Sequence, residues 1–181
     1  MGVQVAYTDH RTISAATPVP GERGTADAVM LGIGNLLLGD DGVGIRLVER
    51  LRDNPSFAGV SFVDGGTLSF SLLDLIENAN ALLVADAAEL GEPAGTIRVF
   101  EDEAMDRFLA SSRRRSVHEV GLCDLLDMAR LRDCLPGKRA LLCVQPQTIG
   151  WNESLSDPVS GAMSAALEQA GHLLHAWGLG S

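Results

Sequence analysis

The sequence predicts one α/β domain in three layers: a twisted, mostly parallel sheet of five strands with helices on both faces. Short apolar runs alternate along the chain with segments whose apolar residues recur at helical spacing, which is typical of parallel sheets with right-handed crossovers. The chain has 181 residues, a length that suits a single domain. Because 46% of the residues are hydrophobic and only 4% are aromatic, we expect a core of aliphatic side chains.

The strands are predicted at five apolar runs, several of which are followed directly by glycine or aspartate. These two residue types favour turns and are rare inside strands. The predicted strands cover residues 28–33, 60–63, 81–85, 96–100 and 139–144.

The helices are predicted from apolar residues that lie three and four positions apart. One helix begins where Ser116 and Glu119 have the spacing of a capping box. The last helix is expected to be capped by Asp157, with Pro158 at its first helical position. The predicted helices cover residues 43–51, 70–78, 101–110, 116–129 and 157–177.

Composition and charge narrow the classes of function. A net charge of −10 argues against a nucleic-acid partner, which needs a basic surface. No apolar run reaches the roughly 18 residues of a membrane span, so no membrane partner is expected. The three cysteines lack the spacing of a zinc or redox motif and are predicted to be thiols in a reducing cytoplasm. Residues 1–27 lack the apolar block of a secretory signal and are predicted to be a flexible extension, which leaves residues 28–181 as the domain.

The glycine-rich turn after the first strand has two interpretations. Gly32 and Gly34 are similar to the opening of a dinucleotide-binding fingerprint, and Asp64 ends the second strand where a ribose-binding acid would lie. Leu37 stands where the third glycine of the fingerprint is expected, however, and Asp40 and Asp41 would repel a pyrophosphate at the start of the next helix. A nucleotide-binding module of Rossmann type is therefore kept as an alternative.

Three acidic residues follow predicted strands and are candidates for a site. Asp40 and Asp41 precede the first helix, where both could simply cap it, or where one could cap while the other points into a crevice. Asp86 follows the apolar run of residues 81–85 and could be a cap or turn residue. The carboxyl ends of parallel strands meet at one edge of a sheet, and this placement favours a shared site.

His118 lies at the predicted start of a helix, where the helix dipole disfavours the imidazolium form. A neutral imidazole is the form that binds a metal, although a surface histidine in a first helical turn is the plain alternative. Two carboxylates and one imidazole suit a borderline divalent metal and leave coordination positions open for a substrate group.

Five short motifs together resemble one family, the nickel–iron hydrogenase maturation endopeptidases, over about residues 29–176. The motifs are Gly32-Ile-Gly34-Asn35, Gly39-Asp40-Asp41-Gly42-Val43-Gly44, Asp64-Gly65-Gly66-Thr67, Ala85-Asp86-Ala87 and His118-Glu119-Val120-Gly121-Leu122. Their order and spacing both fit the family. The resemblance agrees with the fold predicted above, since the family has a twisted sheet between helices.

The resemblance implies a specific activity. Such enzymes remove a C-terminal extension from the precursor of the hydrogenase large subunit after its nickel–iron centre has been loaded, and nickel already held by the substrate is the implied recognition element. The implied metal contacts fall on Asp41, Asp86 and His118. The loop Asp64-Gly65-Gly66 would lie beside them and contact substrate. At the first position the family uses Glu or Asp, and this chain has the shorter residue, Asp41.

Three points remain open from the sequence. A non-catalytic maturation chaperone that reads the metal centre without cutting would use the same residues. The motifs do not decide whether water is activated by the metal or by a free carboxylate, so no catalytic group is assigned. Finally, Arg113, Arg114 and Arg115 form either a solvated loop or a basic cluster that steers an acidic part of the precursor.

Overall fold

The structure is a computed structural model that describes residues 26–67, 70–112 and 117–180, without the side chains of residues 26, 112 and 117–120. Three predictions lie outside this description: the flexible extension as far as residue 25, the basic cluster at 113–115, and the capping box that begins at Ser116. Within the described part, no helix is both long enough and apolar enough to cross a membrane.

Five strands form one sheet in the order β2-β1-β3-β5-β4. The first four of these strands run parallel to their neighbours, and β4 pairs antiparallel with β5 at one edge. The predicted α/β architecture is thus confirmed. The strands are β1 Ala26–Ile33, β2 Val60–Gly66, β3 Ala79–Ala87, β4 Ile97–Glu101 and β5 Lys138–Val144.

The helices cover both faces of the sheet, because alternate strand residues point to opposite sides and each side is apolar. Helices α1 and α5 pack on one face, and α2, α3 and α4 pack on the other. Short 3-10 turns precede α1 and α2. The helices are α1 Val43–Arg52, α2 Leu73–Glu77, α3 Asp102–Ser112, α4 Val117–Leu131 and α5 Asp157–Ala176.

The central strand β3 shows how the sequence produces this packing. Leu83 and Ala85 lie in the core beneath α1 and α5, whereas Leu82 and Val84 lie in the core beneath the other three helices. All four side chains are fully buried, as expected for a strand covered on both faces. Burial of such side chains stabilises the fold by roughly 1.5–3 kcal/mol for each leucine or valine.

Two element boundaries differ from the predictions in a way that concerns the site. Strand β3 continues through Ala87, so Asp86 lies inside the strand rather than after it. Strand β2 continues through Gly66, so Asp64-Gly65-Gly66 forms the end of the strand rather than a loop after it. Ladder pairing with neighbouring strands extends both elements past the point where the apolar run stops.

Candidate active site

Asp86 places a carboxylate near the carboxyl end of the central strand. It continues the alternation of Leu82 and Val84, so its side chain points to the face covered by α2, α3 and α4. Its exposed fraction is only 2%. A carboxylate that is removed from water in this way is costly to retain in a fold, and such positions are commonly functional.

Asp41 approaches the same edge of the sheet through close backbone packing. It lies in the 3-10 turn Asp40–Gly42, which contacts β3, and its exposed fraction is 5%. Three residues later, Gly44 packs directly against the carbonyl groups of Ala85 and Ile33. Because Ala85 immediately precedes Asp86, the contact brings the segment that carries Asp41 to the end of β3.

The glycines at the end of β1 allow this close approach of two backbone segments, rather than making room for a phosphate. A Cβ on Gly34, whose φ is +132°, would overlap the carbonyl oxygen of Asp41. A Cβ on Gly32 would lie 2.5 Å from the carbonyl oxygen of Gly44. The backbone of residues 41–45 therefore fills the space beside both glycines. The second glycine of a dinucleotide fingerprint instead faces the pyrophosphate, and this difference argues against the Rossmann-type alternative.

The end of β2, Asp64-Gly65-Gly66, lies beside this turn. Its exposed Asp64 carboxylate accepts a hydrogen bond of 2.8 Å from the Gly66 amide, and Gly66 adopts a positive φ of +50°. The Gly66 carbonyl in turn accepts a hydrogen bond of 2.8 Å from the Gly34 amide. The end of β2 is thus tied to the turn that leads to Asp41, as a substrate-contacting segment would need to be.

His118 is the second residue of α4, and its side chain lies outside the described part of the structure. The connections show where the first turn of α4 lies. Strand β4 runs antiparallel to β5, α3 returns along the sheet, and α4 runs back before β5 begins, so α4 starts toward the carboxyl edge. Among the side chains that the structure describes, no group of three metal-binding residues is found. The three-residue metal contact remains a prediction.

The expectation that one of the paired aspartates caps a helix is wrong. Gly39 occupies the N-cap position of the 3-10 turn, and Gly42 occupies that of α1. Neither N-cap residue makes a side-chain cap hydrogen bond. Asp40 is instead fully buried and accepts hydrogen bonds from residues 147–156, a segment that we call the strap. The donors are the amides of Gln147 at 2.9 Å, Thr148 at 3.1 Å and Ser156 at 2.7 Å, and the Ser156 hydroxyl at 2.8 Å.

The same contacts correct the predicted cap of the last helix. Ser156, not Asp157, occupies the N-cap position of α5, and its side chain makes no cap hydrogen bond because it faces Asp40. Sequence reasoning missed this role of Asp40. The partners lie 107 to 116 residues away along the chain, so no local spacing could have indicated them.

Hydrogen bonding keeps Asp40 ionised inside the protein. Burial by itself would raise the pKa of this carboxyl group, but the donors from Ser156, Thr148 and Gln147 outweigh burial and hold the pKa below its ordinary value of 3.8. The charged form is therefore the one that the fold stabilises.

We expect the stability contributed by Asp40 to disappear in acid. A depressed pKa adds stability at pH values above the unfolded-state pKa, and that stability is lost as the pH falls through the folded-state value. The difference in unfolding free energy between the wild type and Asp40→Asn should thus be largest near neutral pH and narrow below about pH 4. Urea unfolding at several pH values measures it. A difference that stays constant down to pH 3 would contradict the assignment.

A second polar residue that the sequence did not reveal is Gln145, which directly follows β5. It is buried, and its side-chain oxygen accepts a hydrogen bond of 2.7 Å from the Leu90 amide. Its side-chain nitrogen donates to the Glu89 carboxylate at 3.2 Å. Gln145 thus holds the segment that follows β3 and Asp86.

Comparisons with known proteins bear on what this site does. A family profile described as hydrogenase maturation protease matches residues 45–172. The hydrogenase expression/formation protein HoxM of Cupriavidus necator is 37% identical over 152 residues, which span 83% of this chain and 75% of that protein. The hydrogenase 2 maturation protease of Escherichia coli is 33% identical over 145 residues, or 78% of this chain and 86% of that protein.

Solved structures give the same result. The hydrogenase maturating endopeptidase HybD from E. coli superposes with a TM-score of 0.77 at 31% identity, covering 82% of this chain and 91% of that one. A hydrogenase 2 maturation peptidase from a Thaumarchaeota archaeon superposes with a TM-score of 0.61 at 30% identity, covering 84% and 98%. The fold and the family resemblance predicted from the sequence are both supported by these similarities.

Proposed function

Because this chain belongs to the hydrogenase maturation protease family and is a hydrolase, we propose that it removes the C-terminal extension of a nickel–iron hydrogenase large-subunit precursor after nickel insertion. The observation that carries the proposal is the burial of Asp41 and Asp86 at one edge of the sheet, toward which α4 begins with His118. The proposed partner is the precursor protein, and the proposed compartment is the cytoplasm.

Nickel enters this proposal as part of the substrate. Two carboxylates and one imidazole match the ligand preferences of a borderline divalent ion, and they leave positions for ligands that the precursor itself supplies. Asp41, Asp86 and His118 would contact this ion. Cleavage would then depend on correct loading of the precursor, because the enzyme's contacts to its substrate are incomplete without the metal.

The remaining residues of the site would orient the peptide. The end of β2, Asp64-Gly65-Gly66, would contact substrate beside Asp41 through the exposed Asp64, since it is hydrogen bonded to the turn that leads there. Either the metal or a carboxylate would activate the water, and no catalytic group is assigned.

Replacing His118 tests the proposal with a matched histidine as control. We expect His118→Ala to slow cleavage of the nickel-loaded precursor by at least about 100-fold, because loss of a metal contact should exceed the 10- to 100-fold effect typical of groups one shell further out. His172→Ala on α5 should cleave normally, since His172 is exposed and α5 packs on the other face of the sheet. Mass spectrometry of the large subunit measures loss of the extension.

The same assay separates the alternatives. Nickel-free precursor should stay uncut by the wild type, and cleavage without nickel would overturn the role of the metal. A chaperone would bind the loaded precursor without shortening it. If His118→Ala cleaves as fast as the wild type, His118 does not contact the metal.

A further inference from the structure

We propose that Asp40 is a positioning residue, which locks the strap onto the loop that carries Asp41 and so holds Asp41 in place for the substrate. The inference rests on the proposed function for the part of its test that measures cleavage. It concerns a residue that contacts neither metal nor peptide in that proposal, and it is carried by the hydrogen bonds around one buried carboxylate.

The first step is the geometry of the carboxylate itself. One oxygen of Asp40 accepts from Gln147 and Thr148 at the beginning of the strap, and both oxygens accept from Ser156 at its end. A single side chain thus closes a segment of ten residues into a fixed loop. All four hydrogen bonds share one charged acceptor, and such bonds are stronger than those between neutral groups, so they oppose the motion that a free segment would have.

The middle of the strap is tied to the residues just before Asp40. The Gly39 amide donates to the carbonyl of Asn152 at 2.6 Å, and the Asn152 amide donates to the carbonyl of Leu37 at 3.1 Å. The Gly150 amide donates to Leu38 at 3.3 Å. The strap and residues 37–39 therefore pair along their backbones, and both segments depend on Asp40 to remain in register.

The strap also reaches the helix that follows Asp41. The guanidinium group of Arg46 in α1 donates a hydrogen bond to the carbonyl of Glu153. The strap thus contacts the chain both before and after the turn that contains Asp41. Asp40 and Asp41 are neighbours in the same 3-10 turn, so we expect a displacement of the Asp40 backbone to shift Asp41 as well.

The variant Asp40→Asn tests whether Asp40 holds the strap in place, without changing the size of the side chain. Its amide nitrogen cannot accept the hydrogen bonds that one carboxylate oxygen accepts, so at least one N–H group of the strap loses its partner. We expect amide hydrogen exchange, followed by NMR, to become faster by about 10-fold or more at Gln147, Thr148 and Ser156. The Gly42 amide, which donates to the Gly39 carbonyl at 3.1 Å, should become faster as well.

Cleavage of the nickel-loaded precursor provides the second measurement. We expect kcat to fall by about 10- to 100-fold, because a displacement of about 1 Å at a reacting group has effects of this size. KM should change by less than about threefold, since Asp40 is fully buried and cannot touch the substrate. A structural role alone would lower the fraction of folded enzyme at high temperature without this change in kcat.

Asp106→Asn is the matched control. Asp106 is a partly buried carboxylate that accepts from Arg139 at 2.7 Å and from Arg130 at 3.0 Å, at the opposite, amino-terminal edge of the sheet. Its replacement should lower Tm but leave strap exchange and kcat unchanged. If Asp40→Asn folds poorly, Ser156→Ala removes only the hydroxyl donor and should shift exchange and kcat in the same direction by a smaller factor.

The cleavage assay and the hydrogen-exchange experiment test separate claims, so that one claim can be refuted without the other. If the wild type does not cut the precursor, the proposed function fails, but the exchange experiment still decides whether Asp40 holds the strap in place. If Gly42 exchanges at the wild-type rate in Asp40→Asn, Asp40 does not hold the turn of Asp41 and the inference is overturned. Faster exchange with an unchanged kcat would overturn it equally.

Discussion

Cleavage of the nickel-loaded precursor is expected to become at least about 100-fold slower in Asp86→Asn, with the protein still folded. The side chain of Asp86 is nearly inaccessible to water and lies near the carboxyl end of the central strand. An amide has nearly the same shape as the carboxylate but carries no charge, so it binds a divalent metal poorly. Initial rates measured over a range of precursor concentrations give the effect on kcat and on KM.

The control for this prediction is another aspartate on an element of the same face. Asp124 in α4 is exposed, and Asp124→Asn should cleave at the wild-type rate. Both variants should melt within a few degrees of the wild type, since neither change alters the volume of the side chain. If Asp86→Asn cleaves normally, Asp86 is not part of the site, and the observation on which the proposed function rests is lost.

The largest effect on folding is expected for Gly44→Ala. A Cβ at this position would overlap the carbonyl oxygen of Ala85 and would lie 2.6 Å from that of Ile33. Both atoms belong to paired strands and cannot move aside, so α1 has to shift away from the sheet. We expect a loss of about 3 kcal/mol in unfolding free energy, measured by urea unfolding.

Gly161→Ala in α5 serves as the matched control. Gly161 is also helical, but it is exposed and a Cβ there would meet nothing within 4 Å. Alanine is the better helix former, so this variant should gain about 0.5–1 kcal/mol. The opposite signs separate a steric effect from a general effect of alanine in helices. A stable Gly44→Ala variant with normal cleavage would show that close packing of α1 on the sheet is not required.

Much of the molecule was predictable because the determining signals are local. The apolar run of residues 81–85 indicated a buried strand, and the helical spacing over residues 43–51 predicted α1 nearly to its bounds. Alternation of such segments was sufficient for a mostly parallel sheet with covered faces. Asp41 and Asp86 were predicted to meet at the carboxyl edge of that sheet, and their backbone segments do pack together there.

The direction of the edge strand β4 could not be predicted in the same way. The sequence of the fourth strand, residues 96–100, shows only that it is extended. Whether it joins the sheet parallel or antiparallel depends on the edge that β5 leaves open and on the direction in which the chain returns. Similarly, Asp86 was predicted to follow a strand but lies within it, because pairing with Cys143 and Val144 in β5 extends the ladder.

The sequence by itself determined the strands and the helices and indicated the acidic residues of the candidate site, because apolar periodicity and turn-forming residues act over a few positions. Only the tertiary structure decided what Asp40 does. Judged by its neighbours it is a helix cap, yet its donors lie more than a hundred residues away in the strap. A buried carboxylate takes whichever donors the fold brings to it, and partners this distant leave no spacing in the sequence by which they could be recognised.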